Sequence, residues 1–211
     1  MTHISNAINK TTQDNLTPET VLQDLLEGNT RFVENNTNTV DTSALVEQTV
    51  GGQYPKAVIL SCIDSRVPVE MVFDQTIGDV FVARVAGNFE NIDILGSMEY
   101  SCKVAGSKLV FVLGHESCGA VKAACDHVEL GNITALLDNI QPAVKKSEGE
   151  VSGNHDSSNT EFVNQTIKNN VLLTIDRIRE KSPVLKEMED NGEIKIVGGV
   201  YHLSNGKVSL Y

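Results

Sequence analysis

The chain has 211 residues, 40% of them hydrophobic, and a formal net charge of -11 at pH 7. That length and apolar content suffice for one sizeable core, so a single domain is expected. The acidic balance repels phosphate backbones and argues against a nucleic-acid partner. No apolar run approaches the ~20 residues needed to cross a bilayer, so no membrane span is expected.

Residues 1–16 are polar and Thr/Asn-rich and read as a flexible segment, with 17–211 as one α/β domain. The first fifteen residues lack the charged start and apolar middle of a secretory signal, and a cytoplasmic protein is expected. Thr17-Pro18-Glu19 is a helix start, with a hydroxyl N-cap, proline at the first helical position and an acidic first turn. Val21, Leu22, Leu25, Leu26 and Phe32 follow at helical spacing, and the helix should end near Asn35-Asn36. Its apolar stripe needs a surface, either on its own chain or on a partner subunit.

Residues 37–56 read as a connector. Ala57-Val58-Ile59-Leu60 is a short continuous apolar run of the kind that forms a strand buried on both faces. A short helix is expected over 67–73 and a second buried strand at Val80–Ala83. Ala86-Gly87-Asn88 marks a turn, and a helix is expected over 92–105. Leu109–Leu113 is a third strand, ending at Gly114-His115. Helices are expected over 119–128 and 133–146, then a polar loop over 147–160. A long helix should span 162–181, and Ser182-Pro183 should cap a short one. Ile194–Val197 is a fourth strand. Asn205-Gly206 signals a hairpin that returns Val208–Leu210 antiparallel to it.

Strands alternating with helices predict an α/β fold: a mostly parallel sheet of four strands with an antiparallel fifth edge strand, helices on both faces and an N-terminal helical arm. Ligands of such sheets sit at the carboxyl ends of strands. Cys62-Ile63-Asp64-Ser65-Arg66 and His115-Glu116-Ser117-Cys118-Gly119 both lie at such ends.

Cys62, His115 and Cys118 are donors of the type zinc favours, and His115 and Cys118, three apart on a turn into a helix, can grip one ion. Asp64 is ambiguous. It could be a fourth ligand, which would close the site, or Arg66 could hold its carboxylate by charge-assisted hydrogen bonds and leave it as an acceptor beside an open position. Pattern alone also allows a plainer reading, in which a cysteine at a strand end is a small core residue. Cys102 and Cys125, inside helical stretches without partner motifs, are read that way. His3, His127, His155 and His202 are read as surface or locally hydrogen-bonded residues.

With Gly114 before the second run, Ala86-Gly87-Asn88 between the two and Leu25-Leu26-Glu27-Gly28-Asn29-x-Arg31-Phe32 upstream, the chain resembles a β-class carbonic anhydrase over roughly 17–211. The resemblance implies reversible hydration of carbon dioxide to bicarbonate and a proton. It implies one Zn2+ per chain on Cys62, His115 and Cys118, and a zinc-bound hydroxide oriented by a catalytic Asp64/Arg66 dyad. It also implies that Gln53, Phe81 and Tyr100 line the CO2/bicarbonate pocket, built across a homodimer or a higher oligomer of dimers, with the N-terminal helix embracing the partner. One branch of that family closes its Asp onto zinc and uses a tryptophan. This chain has no tryptophan, and the open form is expected near neutral pH. The motifs do not separate CO2 from CS2 or COS as substrate, and a closed structural zinc domain that binds a partner protein is the rival from another class.

Overall fold

The computed structural model of the protein describes residues 2–211. The N-terminal segment carries local structure. Strand β1 (His3–Ile4) pairs in parallel with β2 (Thr39–Val40), and α1 spans Lys10–Asp14. Gln13 on α1 is buried, and its Nε2 donates to the carbonyls of Pro55 and Ala105, both at 2.8 Å. Composition marks this stretch as a flexible arm because the contact depends on one amide reaching two distant carbonyls.

Helix α2 (Pro18–Val33) begins with a reciprocal cap: Thr17 Oγ1 accepts from Thr20 N–H while Thr20 Oγ1 accepts from Thr17 N–H. It stops two turnable residues before the expected end, since Asn35 adopts φ +52°, outside the right-handed helix. Val21 and Leu25 are fully buried on the chain's own sheet, so the inner part of the stripe is covered without a partner. The expected connector contains a helix, α3 (Thr42–Thr49); Asp41 caps it by accepting from Ala44 N–H.

The main sheet is built from β3 (Ala57–Ser61), β4 (Val80–Arg84), β5 (Leu109–His115), β6 (Lys195–Tyr201) and β7 (Val208–Leu210), in the order β4-β3-β5-β6-β7. The first four are parallel and β7 returns antiparallel to β6, as expected. Successive side chains alternate across a strand, so each apolar run serves two cores. Val58, Leu60, Val110 and Val112 face α5 (Ile92–Glu99), α9 (Thr160–Lys181) and α10 (Pro183–Asp190), while Ala57, Ile59, Leu109, Phe111 and Leu113 face α2 and the short α4 (Val69–Val72). Burying each large aliphatic residue contributes about 1.5–3 kcal/mol.

β4 corrects one expectation. A buried strand is expected at Val80–Ala83, but β4 is the sheet edge and these residues are only half-buried. An apolar run identifies a strand without revealing that its second neighbour is absent from the chain.

Helix α5 continues as one π-helical turn, Tyr100–Val104. Beyond β5, α6 (Gly119–Cys125) is followed by two helices rather than one: α7 (Gly131–Leu137) and α8 (Gln141–Glu148). Pro142 lies in the first turn of α8, where its missing N–H costs nothing; inside one continuous helix it would remove a bond. The loop from 149 to 159 is pinned by Ser157 N–H donating to Asp126 Oδ1 (2.8 Å) and by Asn159 capping α9. Asn29 of α2 ties the C-terminal hairpin down, donating to Gly206 O (2.9 Å) and accepting from Val208 N–H (2.8 Å).

Candidate metal centre

The parallel strands β3 and β5 run side by side, with Ser61 paired to Leu113. Cys62 therefore leaves the end of β3 next to the end of β5, which carries His115, and Cys118 caps the start of α6. The two runs are 53 residues apart in sequence, and strand register brings them together. All three side chains are buried, and their ligand atoms lie within 4.8 Å of one another. The Sγ atoms of Cys62 and Cys118 are 4.0 Å apart. Two thiolates on one tetrahedral zinc, at about 2.3 Å each, would stand about 3.8 Å apart.

The nitrogen chemistry agrees. His115 Nδ1 donates to the carbonyl of Glu116 at 2.9 Å, which fixes the tautomer and leaves Nε2 with a lone pair. That Nε2 is fully buried and has no hydrogen-bond partner among the described residues. A buried acceptor without a partner costs about 1–3 kcal/mol, a cost that coordination of a cation removes. The thiols point the same way. A hydrogen bond from Cys118 holds Cys62 well below the usual thiol range, while the same bond and burial push Cys118 well above it. The shared bond favours one thiolate in the pair; two thiolates at this separation repel each other, and a cation between the sulfurs offsets that repulsion. The donor set fits zinc.

Asp64 stands beside this group without joining it. Its Oδ1 accepts from Arg66 N–H and Nε–H, both at 2.9 Å, and its Oδ2 accepts from Arg66 Nη2 at 2.8 Å. Oδ2 lies 3.9 Å from His115 Nε2. The Arg66 guanidinium is the first cause that holds the Asp64 carboxyl far below the usual carboxylate range. Oδ2 is thus a permanently ionised acceptor facing the sulfur and nitrogen donors.

Several supporting residues were not legible in the motifs. Arg84, at the end of β4, donates to the carbonyls of Cys62 (2.8 Å) and Asp64 (2.7 Å) and so shapes the first run. Glu116 anchors the second run. Its N–H donates to Tyr201 O (3.0 Å), and its carboxylate binds His202 Nδ1 (2.7 Å) and Ser204 N–H (3.2 Å). His202, expected at the surface or in a local hydrogen bond, instead links the hairpin to the His115–Cys118 turn. Gly87 N–H donates to Cys62 Sγ at 3.4 Å. The available signals are Arg84 following an apolar run and the turn residues Ala86-Gly87-Asn88.

Phe81 and Tyr100 do meet each other, with ring centroids 6.2 Å apart, and they line a cavity of about 770 Å³ with Val82, Ala83, Ile92 and Ile94. This cavity lies away from the thiols. Phe81 pairs with Val58, four residues before Cys62, roughly 13 Å along the strand. Gln53 is exposed and lines a separate shallow depression with Thr49 to Gly52, Ile77 and Gly78. Within one chain, these three residues do not join the Cys/His group.

Fold and centre define a class: a doubly covered parallel sheet with a buried Cys₂His group at its strand ends. A carbonic anhydrase family model matches residues 57–208. Carbonic anhydrase 2 of Mycobacterium tuberculosis is 34% identical over 205 residues, covering 93% of this chain and 94% of that protein. The carbonic anhydrase of Mycolicibacterium smegmatis is 32% identical over 205 residues, with the same coverage. Among solved structures, the β-carbonic anhydrase CcaA superposes with TM-score 0.70 at 24% identity, covering 90% of this chain and 94% of that one. A Coccomyxa β-carbonic anhydrase in complex with acetazolamide gives 0.71 at 23% identity, covering 90% and 85%. These two likenesses speak to the fold alone.

The chain belongs to the β-class carbonic anhydrase family and is an enzyme of that family. Membership and the Cys/His/Cys group together support CO2 hydration as its reaction. No helix among the described residues is long and apolar enough to cross a membrane.

Proposed function

We propose that the protein catalyses the reversible hydration of CO2 to bicarbonate and a proton with one zinc ion per chain, held by Cys62, His115 and Cys118. The observation that carries this reading is the unpartnered Nε2 of buried His115 beside two thiols 4.0 Å apart. When bound, zinc supplies a Lewis acid that makes hydroxide available near neutral pH, the chemistry for which carbonic anhydrase is the type example.

The chain's own residues do the rest. Asp64 Oδ2 accepts the hydrogen of the attacking oxygen and so turns a lone pair toward the carbon of CO2. Arg66 keeps Asp64 ionised and, by its two-pronged grip, keeps the carboxylate from closing on the metal. CO2 is apolar and is best held by an apolar wall. Phe81 and Tyr100 serve as that wall, and the Gln53 amide offers a hydrogen bond to bicarbonate.

Since Gln53, Phe81 and Tyr100 lie away from their own chain's Cys/His group, they act on the group of a second copy in a homodimer. The half-exposed apolar edge β4, with Tyr100 53% and Ile92 83% exposed beside it, supports an interface there. Two solved relatives are described as tetrameric, so dimers of dimers are within reach. Residues 17–211 form the catalytic unit and 1–16 an appended segment. All four cysteines are free thiols, which suits a reducing compartment such as the cytoplasm.

The test measures zinc content and CO2 hydration by stopped flow in the parent, Cys62→Ser and His115→Ala. Both variants should lose stoichiometric zinc and activity together. Full activity in a metal-free variant would overturn the reading, and a sulfide-release assay with COS, run in parallel, distinguishes the substrate.

A further inference from the structure

The turn after β4 places Gly87 against the metal centre in a conformation that few residues tolerate. Its φ is +82°, and a Cβ there would meet Ile140 Cδ1 at 2.5 Å. Both backbone polar groups of Gly87 are committed. The N–H donates to Cys62 Sγ at 3.4 Å, and the carbonyl accepts from Asn170 Nδ2 at 2.7 Å. Asn170 projects from α9 and is 1% exposed, between the buried Ile167 and Val171. Its Oδ1 has no partner, and neither does the buried Nδ2 of Asn88. A buried amide that leaves one of its two polar ends unsatisfied is expensive, and the bond to Gly87 is the one hydrogen bond its side chain makes.

We infer that Asn170 is a positioning residue for the thiolate of Cys62: by holding the carbonyl of the Gly87–Asn88 peptide it fixes the backbone angles of Gly87, and with them the preceding peptide, whose N–H is aimed at the sulfur. This rests on the reading of Cys62 as a zinc ligand. The physical consequence is electronic. Two thiolates donate enough charge to neutralise a divalent ion, which weakens it as a Lewis acid. An N–H donor draws density from the sulfur and restores part of that strength while orienting the lone pair used for coordination. A glycine held at its carbonyl by a buried amide, at a φ that few other residues adopt, keeps the N–H of the preceding peptide in place through the catalytic cycle.

The first test uses the parent protein, labelled with nitrogen-15 and loaded with cadmium-113. A through-hydrogen-bond coupling is expected between the metal and the Gly87 amide proton, beside couplings to the β-protons of Cys62 and Cys118. Absence of the Gly87 coupling with the cysteine couplings present overturns this inference and leaves the ligand set intact. Absence of the Cys62 coupling overturns the ligand reading itself.

The second test compares Asn170→Asp, which keeps the shape but offers an acceptor where a donor is needed, with Asn169→Ala. Asn169 is the adjacent buried asparagine, bonded instead to Ser147 and Glu150. Asn170→Asp should weaken zinc binding about tenfold or more in a chelator competition, and should move the thiolate-to-metal charge-transfer band of the cobalt-loaded protein to longer wavelength. Asn169→Ala should leave both readings at parent values even where it lowers stability. Zinc affinity within twofold of parent and an unmoved band in Asn170→Asp would refute the inference; Asn170→Ser takes its place with the same criteria if the aspartate variant does not fold.

Discussion

Replacing Asp64 by Asn separates metal binding from catalysis. The carboxylate makes three hydrogen bonds to Arg66 and keeps Oδ2 toward the Cys/His group, 3.9 Å from His115 Nε2. An asparagine has one acceptor and one donor of the same shape. If its oxygen takes the Oδ1 place, its NH2 faces Arg66 Nη2 at a separation of about 2.8 Å, donor against donor. If the amide flips, the two bonds at Oδ1 are lost and Arg66 N–H faces an NH2 group. Either the guanidinium grip or the acceptor that orients the attacking oxygen is lost. Positioned acid–base and orienting groups contribute about 100- to 10,000-fold to rate, or about 3–5 kcal/mol of activation free energy. Asp64→Asn should therefore lower kcat/KM for CO2 hydration by at least 100-fold while retaining one zinc per chain. The assay is stopped-flow hydration beside elemental analysis of the same preparation. Turnover within threefold of parent at full zinc content would remove Asp64 from the mechanism.

The thiol pair predicts the proton balance of metal binding. A group whose pKa is depressed is ionised above that lowered value, so Cys62 is already a thiolate at pH 8, whereas Cys118 is raised and still protonated. Zinc binding at pH 8 should release about two protons per chain, one from the Cys118 thiol and about one from the water taken up by the metal, read by calorimetry in buffers of different ionisation enthalpy; release of three would contradict the pairing. Glu116→Gln should loosen the turn that presents His115 and weaken zinc binding by about 10-fold or more in chelator competition, and an unchanged affinity would relegate the Glu116–His202 link to the surface. Phe81→Arg should leave zinc stoichiometry intact while dissociating the dimer in sedimentation and lowering hydration more than 10-fold; an active variant of unchanged size would separate β4 from the interface and from the pocket.

Much of the architecture was legible in local pattern. The run Ala57–Leu60 and the run Leu109–Leu113 form central strands because an uninterrupted apolar stretch suits only an element covered on both sides. Asn205-Gly206 marked the turn, where Gly206 takes φ +76°, which few residues other than glycine accept. Most of the misreadings turn on contacts between distant parts of the chain. The edge position of β4, the burial of Gln13 and the helix within 42–49 depend on which neighbours the folded chain supplies. Pro142 did signal a break between α7 and α8, but a helical period that continues past it obscured the break.

By itself the sequence determined the chemistry: two thiols and an imidazole of zinc-binding type, an Asp with an Arg two residues on, and apolar runs that deliver both motifs to strand ends. Those are properties of side chains and short-range periodicity, which a sequence carries directly. Only the tertiary structure decided how the groups are used. Strand register set the two sulfurs 4.0 Å apart, the Glu116 carbonyl selected the His115 tautomer, and Arg66 turned Asp64 into an acceptor beside the group. Gly87, Asn170, Arg84 and Glu116 became partners of the centre in the same way. Hydrogen bonds and coordination act over about 2–4 Å, and at that range what matters is where the folded backbone places an atom, which spacing along the chain does not report.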